Sequence, residues 1–315
     1  MRAEPGFALL AVMLVLALLA VVVTDFAFSM RLEASMVRSY RDGVIAAHLA
    51  EAGIQQAIRE ILSQAQIAAL NPAGQLVFYR SVPGQTLPRP LPPLVRVHVP
   101  LGPGEFSYRI SDETARIDIN TATPERLDRL LAALGLDKPQ RDVINDSIQD
   151  WRDADEIHRL NGAESEDYYL RLPVPYRSRN GDLQDTAELL QIRGITRELY
   201  FGTPGNPGLR DLVTVAGLST VNFNTASAQV LKALGLSNVE IEEVLRTRVR
   251  APYATVPGRF AGRGLTAGTS ATFRIEAEGF VAGTPRGHVV AIVQRGRQTG
   301  STGVTILSWR PGTGE

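Results

Sequence analysis

The run Phe7-Ala-Leu-Leu-Ala-Val-Met-Leu-Val-Leu-Ala-Leu-Leu-Ala-Val-Val-Val23 decides how the rest of the chain is read: none of its seventeen residues carries a charge or a strong hydrogen-bonding side chain. With the mixed turn to Phe28, a rise of about 1.5 Å per residue gives a helix able to cross a hydrocarbon core of roughly 30 Å. Such a segment crosses as a helix, because hydrocarbon offers backbone groups no outside partner. A cleaved secretory signal is the competing reading, and it calls for a basic start, a shorter apolar core and a small-residue cleavage site. Here the start is Met1-Arg-Ala-Glu-Pro-Gly6, one Arg offset by one Glu, and the downstream site is Phe26-Ala-Phe-Ser29. Helical sequence without proline continues from Ser29 to Leu70. That continuity favours retention.

Apolar residues then recur three and four apart at Val37, Tyr40, Val44, Ala47, Ala50, Ile54, Ala57, Ile58, Ile61 and Leu62. Arg38, Arg41, Asp42, Glu51, Arg59 and Glu60 lie mostly off that stripe. The spacing predicts one long helix, lipid-embedded at its start, packed on a folded domain at its end and closed by Asn71-Pro72. Arg2 before the span, against Asp25 and Arg31 beyond it, is a weak positive-inside signal.

At 315 residues there is room for more than one compact unit. The 33 basic and 33 acidic residues balance, so the molecule has no bulk attraction to polyanions. No cysteine is present, which removes disulfides, thiolate metal sites and thiol catalysis. His48, His98, His158 and His288 are scattered, which argues against a transition-metal site. No phosphate-binding loop, dinucleotide fingerprint or activated nucleophile is found, and catalysis is not expected.

Beyond the long helix, Gln75–Arg80, Leu94–Val99, Glu105–Ile110 and Ala115–Ile119 alternate apolar with polar residues and are predicted as strands. Pro83 to Pro93 reads as an exposed loop and Leu101-Gly-Pro-Gly104 as a turn. Asn120 to about Val249 is helical in pattern, and strands return over Thr272–Val281, Gly287–Gln294 and Val304–Trp309. A helical block is therefore inserted within one sheet, whose face the long helix covers.

Inside the block, Asp118-Ile-Asn-Thr-Ala-Thr-Pro-Glu-Arg-Leu127 recurs as Asn222-Phe-Asn-Thr-Ala-Ser-Ala-Gln-Val-Leu231, and each copy runs into Ala-Leu-Gly-Leu, at 133–136 and 233–236. Thr123 suits an N-cap with Pro124 at the first helical position, and Gly135 and Gly235 suit helix C-termini. Each copy reads as a helical hairpin. The pattern resembles helix-hairpin-helix modules, some of which hold DNA phosphates on hairpin amides. Phosphate contacts need nearby Lys or Arg, and the second hairpin is followed by Glu240, Glu242 and Glu243. A structural or protein-contact role is the stronger reading.

Between the copies lies the densest acidic cluster, Asp150-Trp-Arg-Asp-Ala-Asp-Glu156 and Gly162-Ala-Glu-Ser-Glu-Asp-Tyr-Tyr169, followed by Pro175-Tyr-Arg-Ser-Arg-Asn-Gly181. Gathered carboxylates suit a hard, oxygen-seeking cation such as calcium. An EF-hand is excluded, because His158 stands where the sixth-position glycine counted from Asp153 is required. A solvated acidic loop with Trp151 and Tyr168 in the core is the alternative.

Two resemblances organise these observations. Gly6 followed by aromatic Phe7, the apolar half-helix and His48-Leu-Ala-Glu-Ala-Gly-Ile-Gln-Gln-Ala57 resemble the type IV pilin and pseudopilin family. In that family a prepilin peptidase cuts after the Gly and methylates the new amine. The chain departs from the major subunits at the fifth mature position, where they carry Glu and it has Ala11. A lone carboxylate in a bilayer persists only with a partner, which the resemblance implies is the terminal amine of a neighbouring subunit. A chain without it starts or caps a filament. Trp151, Asp153, Asp155, Gly162-Ala-Glu164, Tyr168, Pro175-Tyr176, Asn180-Gly181, Glu188-Leu189 and the Asn-Thr-Ala segments resemble the general secretion pathway protein K family of minor pseudopilins, found at the tip of the type II secretion pseudopilus. That resemblance implies a calcium site, carried by position onto Asp153, Asp155, Glu164 and Asp167, with Glu166 a near alternative.

The expectation is an α+β chain of pilin-like fold: a long N-terminal helix packed on an antiparallel sheet, with a large inserted all-helical domain. Residues 1–6 are read as leader, 7–28 as the membrane half of the helix, 29–119 as the first part of the pilin-like domain, 120–250 as the insert and 251–315 as the second part. The implied role is assembly of the type II secretion tip complex with other minor pseudopilins, anchored once in the inner membrane, its C-terminal domain periplasmic, with no nucleic acid partner. A type IV pilus minor pilin and a membrane-anchored DNA-binding receptor are the alternatives.

Overall fold

The structure, a computed structural model, describes residues 5–63, 67–71, 73–80, 87–267, 270–296 and 303–311. Residues 1–4 of the expected leader and 83–86 of the expected proline-rich loop lie outside the described residues, as do the side chains of residues 5–8. Helix α1 (Pro5–Ile61) is 57 residues long, about 85 Å at the usual rise. Its buried stripe is Ala46, Leu49, Ala50, Ile54, Ala57 and Ile61. Val37, Tyr40, Val44 and Ala47, which the periodicity assigns to that face, are exposed, while Asp42 and Gly43 are half-buried.

The helix stops nine residues before the predicted Leu70. Ile67–Leu70 instead forms β1, paired antiparallel with β2 (Leu76–Arg80). Asn71 closes that hairpin from both sides: its N–H donates to the Gln75 carbonyl and its side chain accepts the Gln75 N–H, both at 2.9 Å, with Gly74 at φ +74°. The Asn-Pro signal was therefore a hairpin turn rather than a helix stop. Strand β3 (Arg89–Pro90) pairs with β2 at an edge, where a proline costs no ladder bond.

Of the predicted strand Leu94–Val99 only its last residue enters a ladder, in β4 (Val99–Leu101). Pro92-Pro93 and a left-handed His98, at φ +50°, keep the preceding residues irregular. The turn at Gly102-Pro103 then leads into β5 (Gly104–Asp112). The predicted strand Ala115–Ile119 does not join this sheet. A short turn of 3-10 helix at Glu113–Ala115 leads to β6 (Ile117–Asp118), which belongs to the helical unit.

That unit comprises α2 (Pro124–Ala133), α3 (Lys138–Arg152), α4 (Arg197–Phe201), the short strands β7 (Gly202–Thr203) and β8 (Asn206–Pro207), α5 (Leu209–Leu212), β9 (Val213–Thr214), β10 (Val221–Asn222), α6 (Ala228–Ala233), α7 (Asn238–Arg250) and β11 (Leu265–Thr266). Its core takes in Ile117 on one side and Phe260 and Ala267 on the other. The insert is thus wider at both ends than residues 120–250.

The repeat is real at atomic detail. Parallel bridges β6–β9 and β10–β11 open the two halves. Asn120 exchanges two hydrogen bonds with the Leu183 backbone, and Asn224 does the same with Tyr253. Arg152 donates to the carbonyls of Ile119 and Ala122, and Arg248 to those of Phe223 and Ala226. Thr123 caps α2 and Ser227 caps α6, while Gly135 and Gly235 end those helices at φ +88° and +83°.

Strands β12 (Thr272–Val281), β13 (Thr284–Arg295) and β14 (Val304–Pro311) complete an antiparallel sheet of order β14-β13-β12-β5-β4. Helix α1 crosses one face of it, over β5, β12 and β13. Gly279 and Gly287 make the seat, since a Cβ on either would come within 2.5 Å of the Ala46 backbone. Only glycine allows so close an approach.

Candidate functional site

The helical unit's acidic loop begins where α3 ends. Trp151, 2 % exposed, anchors the end against the rings of Tyr169 and Tyr176, with centroids at 5.2 and 6.4 Å. Next to it, Asp150 is fully buried and accepts the Arg159 N–H at 3.1 Å and the Arg159 guanidinium at 2.7 Å. The same guanidinium nitrogen reaches the Asp153 carboxylate at 2.6 Å. Gly162 packs on Asp150 so closely that a Cβ would fall 1.8 Å from its oxygen.

A second polar chain runs through Glu164, which is 1 % exposed. Its carboxylate accepts the Ser178 hydroxyl at 2.9 Å, Ser178 and Ser165 share a hydrogen bond of 2.7 Å, and Ser165 donates to Glu156 at 3.2 Å. Asn180, held at φ +49°, donates to Glu156 at 3.0 Å and to the Asp155 carbonyl at 3.2 Å. Burial and the nearby charges of Asp150, Glu156 and Asp153 push the Glu164 carboxyl up to about 7. Burial likewise raises Asp150, despite Arg159 beside it.

Three buried oxygens here have no protein partner: Asp153 Oδ1, Glu164 Oε1 and Asn180 Oδ1. Buried oxygens without partners cost free energy unless water or an ion meets them. The donor set, carboxylates and an amide oxygen, fits a hard cation. Among the described residues, however, no three His, Cys, Asp or Glu side chains converge closely enough to hold a metal as they stand.

Of the residues singled out in the sequence, Asp153 and Glu164 sit in this cluster and the others are engaged elsewhere. Asp155 is exposed and its carboxylate accepts the Ile157 N–H at 2.9 Å. Asp167 caps the Glu164 N–H at 3.0 Å, and Glu166 points outward to Arg177 at 3.1 Å. In their place stand Asp150, Glu156, Asn180 and Arg159. Asp150, Glu156 and Asn180 lie within the acid-rich stretches of the sequence, where nothing in spacing alone ranks one oxygen above another.

The second feature is α1. From Leu9 to Val23 its side chains are exposed and apolar, and it is the one described helix with the length and hydropathy of a membrane span. Ala11 lies on this span among the exposed residues, and the backbones of Gly6 and Phe7 are continuous with it. At the second helical hairpin, Glu240 pairs with Arg263 and Glu243 with Arg259.

Residues 109–202 match the family model of type II secretion system protein K, first domain. Over 136 residues the chain is 32 % identical to the type II secretion system protein K of Pectobacterium carotovorum, covering 38 % of this chain and 41 % of that protein. Against the protein K of Pseudomonas aeruginosa it is 31 % identical over 144 residues, 42 % of this chain and 40 % of the relative. The chain thus spans about two fifths of the length of these relatives. In fold it is similar to a chain in the GspK-GspI-GspJ complex from the enterotoxigenic Escherichia coli type 2 secretion system, with a TM-score of 0.52 at 19 % identity, over 68 % of this chain and 82 % of that one.

Proposed function

We infer, from the premise that residues 109–202 are a type II secretion system protein K domain, that this chain is a minor pseudopilin of that system. The observation that carries the reading is where this stretch falls: it starts within β5 and runs into the helical unit inserted in a sheet whose face is covered by a helix with a membrane-spanning start. The helix anchors the chain once in the inner membrane after a prepilin peptidase cuts behind Gly6, and the sheet and helical unit lie in the periplasm. Assembly is its work. With two other minor pseudopilins, counterparts of those in the similar complex, it forms the tip that initiates the pseudopilus. Ala11 leaves it without the carboxylate that docks a subunit onto one ahead, and the bulk of the helical unit bars another from stacking above.

Co-purification from detergent-solubilised membranes tests the reading. The full chain should retain two other minor pseudopilins in fixed ratio, and recovery of the chain alone from assembling cells would count against it. Cleavage is checked by N-terminal sequencing, which should begin at a methylated Phe7.

We further propose that the acidic loop takes a calcium ion on Glu164, Asp153, Asn180 and Glu156. The unpartnered buried oxygens of the first three support this. Calcium would neutralise the Glu164 carboxylate, which is met by the neutral Ser178 hydroxyl. Addition of calcium should raise the melting temperature, chelator should reverse the gain, and Glu164→Gln should abolish it. A melting temperature indifferent to both additions would sink the site.

A further inference from the structure

We propose that Arg159 is a built-in cation of the acidic loop, competing with a divalent ion for Asp153, so that the arginine orders the metal-free loop and must withdraw from Asp153 when an ion is taken up. The inference rests on the cation-site reading above. One guanidinium nitrogen bridges Asp150 at 2.7 Å and Asp153 at 2.6 Å, which is the position a metal takes between paired carboxylates. The arginine comes from the loop itself, six residues after Asp153. Folding the loop therefore delivers the counter-charge with it.

The local arrangement permits an exchange. Asp150 is fully buried, yet it does not depend on the guanidinium alone, because the Arg159 N–H reaches both of its oxygens, at 3.2 and 3.1 Å. When the side chain swings away, Asp150 keeps those backbone bonds while Asp153 is released. The Arg159 side chain is 43 % exposed, so its head can move into water without breaking packing. Asn161 ties the next part of the loop to α3 independently, donating from both its backbone and its side chain to Asp146 at 3.1 Å.

Arg159 also leaves part of the cluster unserved. It makes no hydrogen bond to Glu164, whose buried Oε1 has no partner, and Asp153 Oδ1 is likewise buried and unpartnered. Residual negative charge thus remains beside an arginine that can leave. An internal competitor lowers apparent affinity by the fraction of molecules in which it must be displaced. Arg159 should accordingly act in opposite directions on stability and on calcium affinity.

The test uses the full chain in detergent micelles, with Arg159→Met, which keeps the side chain's length without its charge, and Arg159→Lys, which keeps the charge without the fork. Calcium chloride is titrated into chelator-treated protein by calorimetry, and melting temperature is followed in parallel. Arg159→Met should melt several degrees lower without calcium, and bind calcium roughly tenfold more tightly if the arginine-bound loop outweighs the open one by about ten to one. Arg159→Lys should fall between it and the parent on both counts. Equal or weaker calcium binding by Arg159→Met overturns the competition. If the parent binds calcium in a Glu164-dependent way but Arg159→Met gains nothing, this inference falls and the cation site stands. If only Arg159→Met binds, the competition stands and the parent is not a calcium protein. Binding by neither overturns both.

Discussion

Glu113 lies at the join between sheet and helical unit. It is fully buried, bonded to the Thr214 hydroxyl at 2.7 Å and to the Arg274 guanidinium at 3.0 and 3.1 Å, with Arg116 paired on its other side. Burial by itself would raise this carboxyl, but Arg116 and Arg274 together with Thr214 hold it below the ordinary value of 4.5. The unfolded chain therefore binds this proton first on acidification. Stability from Glu113 is fully present above about pH 4.5 and is lost as pH falls through the lower folded value. Glu113→Gln leaves two half-buried guanidinium groups without this counter-charge, and should cost about 3 kcal/mol at neutral pH. It should also flatten the acid limb of a melting-temperature profile; an unchanged limb would assign the acid sensitivity elsewhere. No reading of the sequence could find this cluster, since Glu113 and Arg274 are 161 positions apart and only the return of β12 beside β5 unites them. The acidic loop was legible as a region for the opposite reason, because its carboxylates are close in sequence. Which of them converge is set by the backbone path through Gly162 and the left-handed Asn180.

At the level of elements, the two Asn-Thr-Ala hairpins were visible in advance because their caps are local: Thr123, Ser227, Gly135 and Gly235 each act within one turn. What the repeat is for emerges only from its bonds. Each Asn ties a hairpin to a distant irregular segment through both polar atoms of its amide. Asn224 is wholly buried and Asn120 only partly, so an orphaned backbone pair costs more at the second site. Asn224→Ala should lower stability by about 2 kcal/mol or more and Asn120→Ala by about 1 kcal/mol, measured by urea denaturation. Equal losses would mean that solvent reaches both. The end of α1 was misplaced for a physical reason of the same kind. Ile67-Ala-Ala-Leu70 suits helix and strand alike, and the choice falls to Leu76–Tyr79, whose pairing with it buries Ala68 and Ala69. A short apolar run takes its form from whatever it packs against.

On the scale of the whole molecule, the described residues form two hydrophobic cores, one between α1 and the sheet and one within the helical unit. Beside the Glu113 cluster, a second buried polar link joins them. Asp112, at the end of β5, accepts from Asn222, Thr225 and Ser270 on one oxygen and from Thr114 on the other. Asp112→Ala should leave both cores intact and uncouple them, so a single calorimetric transition becomes two. Persistence of one transition would show that other contacts suffice. The sheet, the long helix and the helical insertion were all legible in the sequence, because each has its own periodicity. The coupling was not, since it is made from residues 48 to 158 positions apart. The long helix has a further consequence. Between Ser29 and Arg41 its residues are exposed, Ser39 being reached by the Arg286 side chain of β13 at 3.2 Å, and the sheet begins to cover it at Asp42 and Gly43. In an anchored chain that interval is a mast, holding the folded body about 20 Å above the lipid and fixing the compass direction in which it faces. Loss of seven residues from the mast would lower the body by about 10 Å while turning it only about 20°, whereas loss of two would lower it by only about 3 Å and turn it by about half a revolution.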